Sequence, residues 1–135
     1  MKNYKDATYN KVISVLKEFQ EKYPRPGIPD LLKLIKQYKL NEFNQISQHW
    51  SDFVNPGVYF IFSDDDELLY IGMSTSIGSR VNSHFGSLIN PKTPQWLQDE
   101  GKIAGYVAIL LIDNNHRFEA PAIEDYVVCK LQEKL

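Results

Sequence analysis

Cysteine is almost missing from this sequence: Cys129 is the only one in 135 residues. An intramolecular disulfide and a cysteine-rich zinc site are both excluded. On this reading the thiol is a small apolar side chain buried on the last helix. Long hydrophobic runs are also missing. The longest, around residues 107–112, falls far short of the ~20 residues needed to cross a bilayer. The first residues, Met1-Lys2-Asn3-Tyr4-Lys5-Asp6, are polar and contain no apolar stretch of the kind that directs secretion. Together these absences predict an intracellular, cytoplasmic protein with no membrane partner. No G-x-S-x-G elbow, P-loop or G-x-G-x-x-G is present, which removes the signatures of acyl transfer and nucleotide binding. His49, His84 and His116 lack the i, i+4 pairing of a helical zinc motif, and His49 and His116 read as surface or turn residues. There is no internal repeat and no low-complexity segment.

What is present is ordinary globular material. Hydrophobic residues make up 43% and charged residues 24%, too apolar for a disordered chain. A chain of 15.6 kDa should fold to about 7,200 Å² of surface from about 22,600 Å² unfolded, enough burial for a core without staples. The net charge is −2, but its two parts differ in sign. Residues 1–50 carry nine Lys/Arg and five acids, and residues 51–135 carry six and twelve. Any anionic substrate held by the second part must be held locally.

Val12, Val15, Leu16, Phe19 and Tyr23 recur at helical spacing and predict a helix over 8–23, broken by Pro24, Pro26, Gly27 and Pro29. Asp30 caps a second expected helix with the stripe Leu31, Leu34, Ile35 and Tyr38. Phe43, Ile46, Trp50 and Phe53 predict a third. These stripes are too apolar to stand in water, so residues 1–54 are expected to be a helical extension packed on a core domain over 55–135. Lys33, Lys36 and Lys39 would then form a basic strip beside the functional cleft, suited to a phosphate backbone.

Beyond the Asn55-Pro56-Gly57 turn the pattern changes. Residues 58–62, Val-Tyr-Phe-Ile-Phe, are a strand by composition, and 68–73 are its hairpin partner across the acidic reversal 63–67. Asp64, Asp65, Asp66 and Glu67 lack the glycine and distal glutamate of a calcium loop and suit a hairpin tip that resists edge pairing. Ser74-Thr75-Ser76 offers caps for a helix over 77–85, closed by Gly86. A loop with Pro91 and Pro94, a short helix over 96–100, a third strand over 103–113 and a last helix over 118–134 complete the chain. Ile123, Val127 and Leu131 form the inward stripe of that last helix.

One constellation carries chemistry. Tyr59 and Tyr70 lie on the two hairpin strands, Arg80 and His84 are i, i+4 on the next helix, and Glu124 falls on the second turn of the last one. A phenol can activate water, a guanidinium can hold a phosphoryl oxygen, and a carboxylate can hold a hard cation. The same residues also suit packing and a solvated surface, and spacing alone does not separate the two accounts.

The string Gly57-Val58-Tyr59, ten residues, then Tyr70-Ile71-Gly72, with Arg80 eight residues after that glycine and His84 four further on, resembles the GIY-YIG nuclease superfamily. Its members include excision-repair endonuclease subunits, homing endonucleases and some restriction enzymes. The resemblance covers residues 55–135. It implies an α+β domain with a three-stranded antiparallel sheet flanked by helices, and a metal-dependent endonuclease acting on DNA. It implies Mg²⁺ or Mn²⁺ at Glu124, weakly held without substrate, with Tyr59 or Tyr70 as general base, Arg80 on the scissile phosphate and His84 assisting the base. Met73 stands where many members have Lys, and the chain reaches Leu135 before a position where many carry Asn. These departures keep open a second reading, a GIY-YIG-fold module that binds nucleic acid or a protein without cutting.

Overall fold

Val58, Phe60 and Phe62 alternate with Tyr59 and Ile61 along one fully buried strand, and that alternation divides the core in two. The computed structural model describes residues 4, 6–25, 27, 28, 30–40, 54–85 and 92–132. Helix α1 spans Tyr9–Lys22, α2 Leu31–Leu34 and strand β1 Ile35–Lys39. Strands β2 (Gly57–Phe62) and β3 (Leu68–Ser74) form the hairpin, followed by α3 (Ile77–Phe85), α4 (Gln95–Gln98), β4 (Tyr106–Leu111) and α5 (Glu119–Leu131). The sheet is antiparallel throughout, in the order β1-β4-β2-β3. The fold class is α+β, as the sequence implies, with a fourth strand beyond the expected three.

That extra strand is a correction to the second expected helix. Asp30 does cap it, accepting from Leu32 N at 3.0 Å, but the helix stops after one turn. From Ile35 the chain pairs with β4 instead, Ile35 opposite Leu110 and Lys39 opposite Tyr106. Without β1 the outer edge of β4 would present unpaired N–H and C=O groups. Ile35 is buried while Lys36, Gln37 and Lys39 stay exposed, a polar composition that suits an edge strand. The basic strip is displaced with it. Lys36 and Lys39 lie on the β1 edge, three strand spacings and so roughly 14 Å from β3. Phe43, Ile46, His49, Trp50, Phe53, Gly86 and Pro91 lie outside the described residues.

One face of the sheet is covered by α1 and α5. Val12, Val15, Leu16 and Phe19 pack with Val58, Phe60, Ile71, Ala120, Ile123 and Val127. Thr8 caps α1 from its side chain, accepting from Lys11 N. Tyr126 O–H donates to Glu18 at 2.6 Å and stacks edge-on against Phe19, tying α1 to α5. Arg25 and Glu119 form a buried two-pronged ion pair, with Arg25 Nη2 donating to Glu119 Oε1 at 2.8 Å. It fixes the start of α5 against the turn that follows α1. The other face is covered by α3 and α4, where Tyr59, Ile61, Ile77, Val81, Phe85 and Leu97 pack together. Cys129, expected to be buried, is exposed. On α5 the inward positions are already filled by Ile123, Val127 and Leu131. No helix among the described residues is long and apolar enough to cross a membrane.

The acidic reversal does more than repel edge partners. Asp66 turns the chain with a left-handed φ of 64°. Its carboxylate accepts from Tyr9 N at 3.3 Å and from the Tyr106 hydroxyl; burial first, and then this bond, push that phenol's pKa upward.

Candidate active site

Tyr59 and Gly72 are direct cross-strand partners on β2 and β3. A Cβ on Gly72 would come within 3.0 Å of the Tyr59 ring and hydroxyl, closer than non-bonded atoms approach. The missing side chain therefore lets the Tyr59 phenol lie across β3, which is the last strand of the sheet. Tyr70 follows on the same face, its ring centroid 5.8 Å from that of Tyr59.

The turn after β3 aims α3 at this pair. Ser74 Oγ accepts from Ser76 N at 3.0 Å and donates to Ser76 O, and Ile77 N donates to Asn55 O at 3.1 Å. The start of α3 is thereby pinned to the start of β2. Four residues apart, Arg80 and His84 share one face of α3. His84 Nε2 lies 2.6 Å from the Tyr59 hydroxyl. Trp96, on α4, completes a cluster of rings, 4.6 Å from Tyr70 and 5.6 Å from His84.

The electrostatics of the cluster follow from burial. Tyr59 is 2% exposed, and burial drives its pKa well above the usual 10.0. Tyr70, by charge and by hydrogen bond, and Glu124 push the same way, against Arg80. His84 is held below its ordinary 6.5, first by burial and then by the Arg80 charge. At neutral pH the pair is therefore a protonated phenol on a neutral imidazole.

Glu124 arrives from the other side. It sits half-buried on α5, whose apolar stripe covers the face opposite Tyr59. The order of the motif residues leads to the expectation that Tyr59, Tyr70, Arg80 and Glu124 converge on one concave face of the sheet; instead Glu124 comes from the face opposite the two tyrosines. β3 is the outermost strand, and α5 packs against it from the face opposite α3. The Glu124 charge reaches both Tyr59 and Tyr4. Tyr4 was not foreseen: it is 5% exposed, and burial, Tyr70 and Glu124 raise its pKa to about 12. No spacing rule could find it in a polar N-terminal stretch. By sequence Trp96 belongs to a short helix; packing brings it into this cluster. Met73 points to the apolar face with Val58 and packs there, so no cation stands at its position.

Among the described residues no group of three or more His, Cys, Asp or Glu side chains converges, which leaves a lone carboxylate. A hard divalent cation suits that setting, keeping most of its waters and completing its shell with substrate phosphate. Two cavities, about 310 Å³ beside Arg25 and His116 and about 630 Å³ beneath the hairpin tip, lie away from the cluster.

Compared with known proteins, residues 55–126 match the family model of the GIY-YIG catalytic domain. That stretch contains Tyr59, Tyr70, Arg80, His84 and Glu124. No curated protein and no solved structure matches the chain. Proteins with this domain are nucleases that typically depend on a divalent metal, and a nuclease domain implies a nucleic-acid substrate.

Proposed function

The chain belongs to the GIY-YIG family, and from that premise we propose that it is a metal-dependent endonuclease hydrolysing DNA phosphodiester bonds at the β3 edge of its sheet. The observation that carries this reading is the 2.6 Å contact between the Tyr59 hydroxyl and His84 Nε2. Tyr59 holds its proton far too tightly to act as a standing phenolate. It becomes a base only by passing that proton on, and a neutral imidazole in hydrogen-bond contact can accept it. With the ring proton on Nδ1, His84 Nε2 accepts from Tyr59 while the phenolic oxygen takes a proton from the attacking water. The water oxygen bonds to phosphorus, the bond to the leaving sugar oxygen breaks, that oxygen takes a proton from solvent water, and His84 ends as imidazolium, returning its proton to the hydroxide so formed. Arg80, exposed at the rim, holds a phosphoryl oxygen and stabilises the added charge. Tyr70 orients Tyr59 by packing its ring alongside, centroids 5.8 Å apart. Glu124 would hold the divalent cation, which when bound neutralises charge on the phosphoryl group.

In this reading residues 55–135 are the nuclease-like domain and residues 1–54 the extension that completes it. Support comes from α1 packed on α5 and from β1 paired with β4. An intracellular site suits the exposed Cys129, a lone thiol that stays reduced there.

A second reading, a non-cutting DNA-binding module, is favoured by one observation. Met73 packs against the apolar core, at a position where many members of the family have Lys. One experiment separates the two. Supercoiled plasmid and branched DNA are incubated with the full chain and Mg²⁺ or Mn²⁺, with Glu124→Ala as control. The enzyme reading expects metal-dependent nicking that Glu124→Ala abolishes while DNA binding survives. Binding without nicking, unchanged by Met73→Lys, would assign the binding module instead.

A further inference from the structure

Four rings from four elements meet at the site: Tyr59 on β2, Tyr70 on β3, His84 on α3 and Trp96 on α4. Tyr59, Tyr70 and His84 pack with centroid separations of 5.4 to 6.1 Å. Trp96 is the one member that cannot exchange a proton with the others at any accessible pH. It crosses Tyr70 at 63° and His84 at 65°, so it braces both flanks of the Tyr59–His84 contact.

The helix that carries it is short but firmly held. Leu97 is fully buried in the same core. Thr93 Oγ1 accepts from Ala104 N at 3.0 Å, and Gln98 Nε2 donates to Thr93 O at 2.6 Å. A half-buried indole on a fixed turn has little freedom to leave its neighbours.

We propose that Trp96 is a positioning residue of this site: its indole closes the outer side of Tyr70 and His84, seats both rings against Tyr59 and keeps water off the imidazole. The geometry explains why a residue with no acid–base chemistry sits among three that have it. Among the described residues, the groups facing His84 are Tyr59 and Tyr70 from the sheet, Arg80 from its own helix and Trp96 from α4. Of these only Arg80 carries charge at neutral pH. Both the Arg80 charge and the cover over the ring favour neutral imidazole, and the Trp96 indole is part of that cover.

The role in catalysis rests on the nuclease reading above, but the positioning does not, so two readouts are needed. His84 is titrated by NMR through its imidazole C–H signals in the full chain, wild type against Trp96→Ala and Trp96→Phe. Cleavage is followed across the same pH range. Loss of the indole should move the His84 midpoint upward, toward the ordinary 6.5. The acid limb of the rate profile should move with it, and kcat should fall ~10-fold or more with little change in KM. Trp96→Phe should restore most of both. If Trp96→Ala does not fold, Trp96→Leu is read in its place, since it fills space without an aromatic face. A folded variant whose His84 midpoint stays at the wild-type value overturns the proposal. So does a kcat loss that Trp96→Phe fails to restore. If wild type cuts no DNA, the nuclease reading falls and the titration alone still decides the role of Trp96.

Discussion

Replacing Gly72 with alanine would add a single methyl group, yet it should damage this fold. In most strands alanine is the better residue by ~0.5–1 kcal/mol, because glycine loses more freedom on folding. Here the new Cβ would overlap the ring and hydroxyl of Tyr59. Tyr59 has nowhere to go, being 2% exposed and held at its tip by His84. Overpacking of this kind costs about 1–3 kcal/mol, which for a urea slope near 2 kcal/mol/M lowers the unfolding midpoint by roughly 0.5–1.5 M. Tyr59→Leu removes the colliding atoms at a cost of its own, about 2–4 kcal/mol for lost buried volume. In the double variant the clash no longer exists, so its total should fall short of the sum of the singles by about 1–3 kcal/mol. Urea midpoints of all four proteins complete the cycle. Additivity within ~0.5 kcal/mol, or a Gly72→Ala variant as stable as wild type, would refute the argument that this glycine exists to let Tyr59 cross the edge strand.

Three further outcomes follow from the same geometry. Arg25→Met leaves Glu119 charged and buried, which should cost about 3–5 kcal/mol, whereas Arg25→Met with Glu119→Leu should recover most of it; thermal melts decide. His84 binds its proton less readily folded than unfolded, so its contribution to stability is whole above pH 6.5 and is lost as pH falls from there toward its folded value. Urea midpoints should drop across that window, and His84→Gln should flatten the drop. Cys129 is exposed and should react with an aromatic disulfide reagent, one thiol per folded chain, without denaturant; a requirement for denaturant would contradict the structure.

Local pattern carried the sequence reading a long way. The hairpin, α1, α3 and α5 all follow from periodicity and turn residues, because their apolar faces and their caps point to the same structure. Leu31, Leu34, Ile35 and Tyr38 did not, because their spacing serves a helix and their β-favouring residues serve a strand. The choice was made by β4, some seventy residues downstream, whose open edge no local rule can see. At the site, the order of Tyr59, Tyr70, Arg80, His84 and Glu124 was legible. The placement of Glu124 across the sheet from Tyr59 was not, since it depends on which face α5 covers. Tyr4 and Trp96 escaped for a similar reason: each reaches the cluster through tertiary packing, and neither lies in a motif.

The pairing of β1 with β4 has a consequence in time. The strand that closes one side of the sheet is made early, and its partner, Tyr106–Leu111, is made late. At ~5–20 residues per second of synthesis, residues 35–39 wait on the order of several seconds before their partner exists. During that interval Ile35 and Tyr38 have no ladder to join. The apolar stripe of α1 likewise lacks α5, the helix that covers it. Such distant pairing slows folding and leaves sticky surface open to other chains. Expression at lower temperature, or with a holding chaperone, should raise the yield of folded protein more than any change at the site itself.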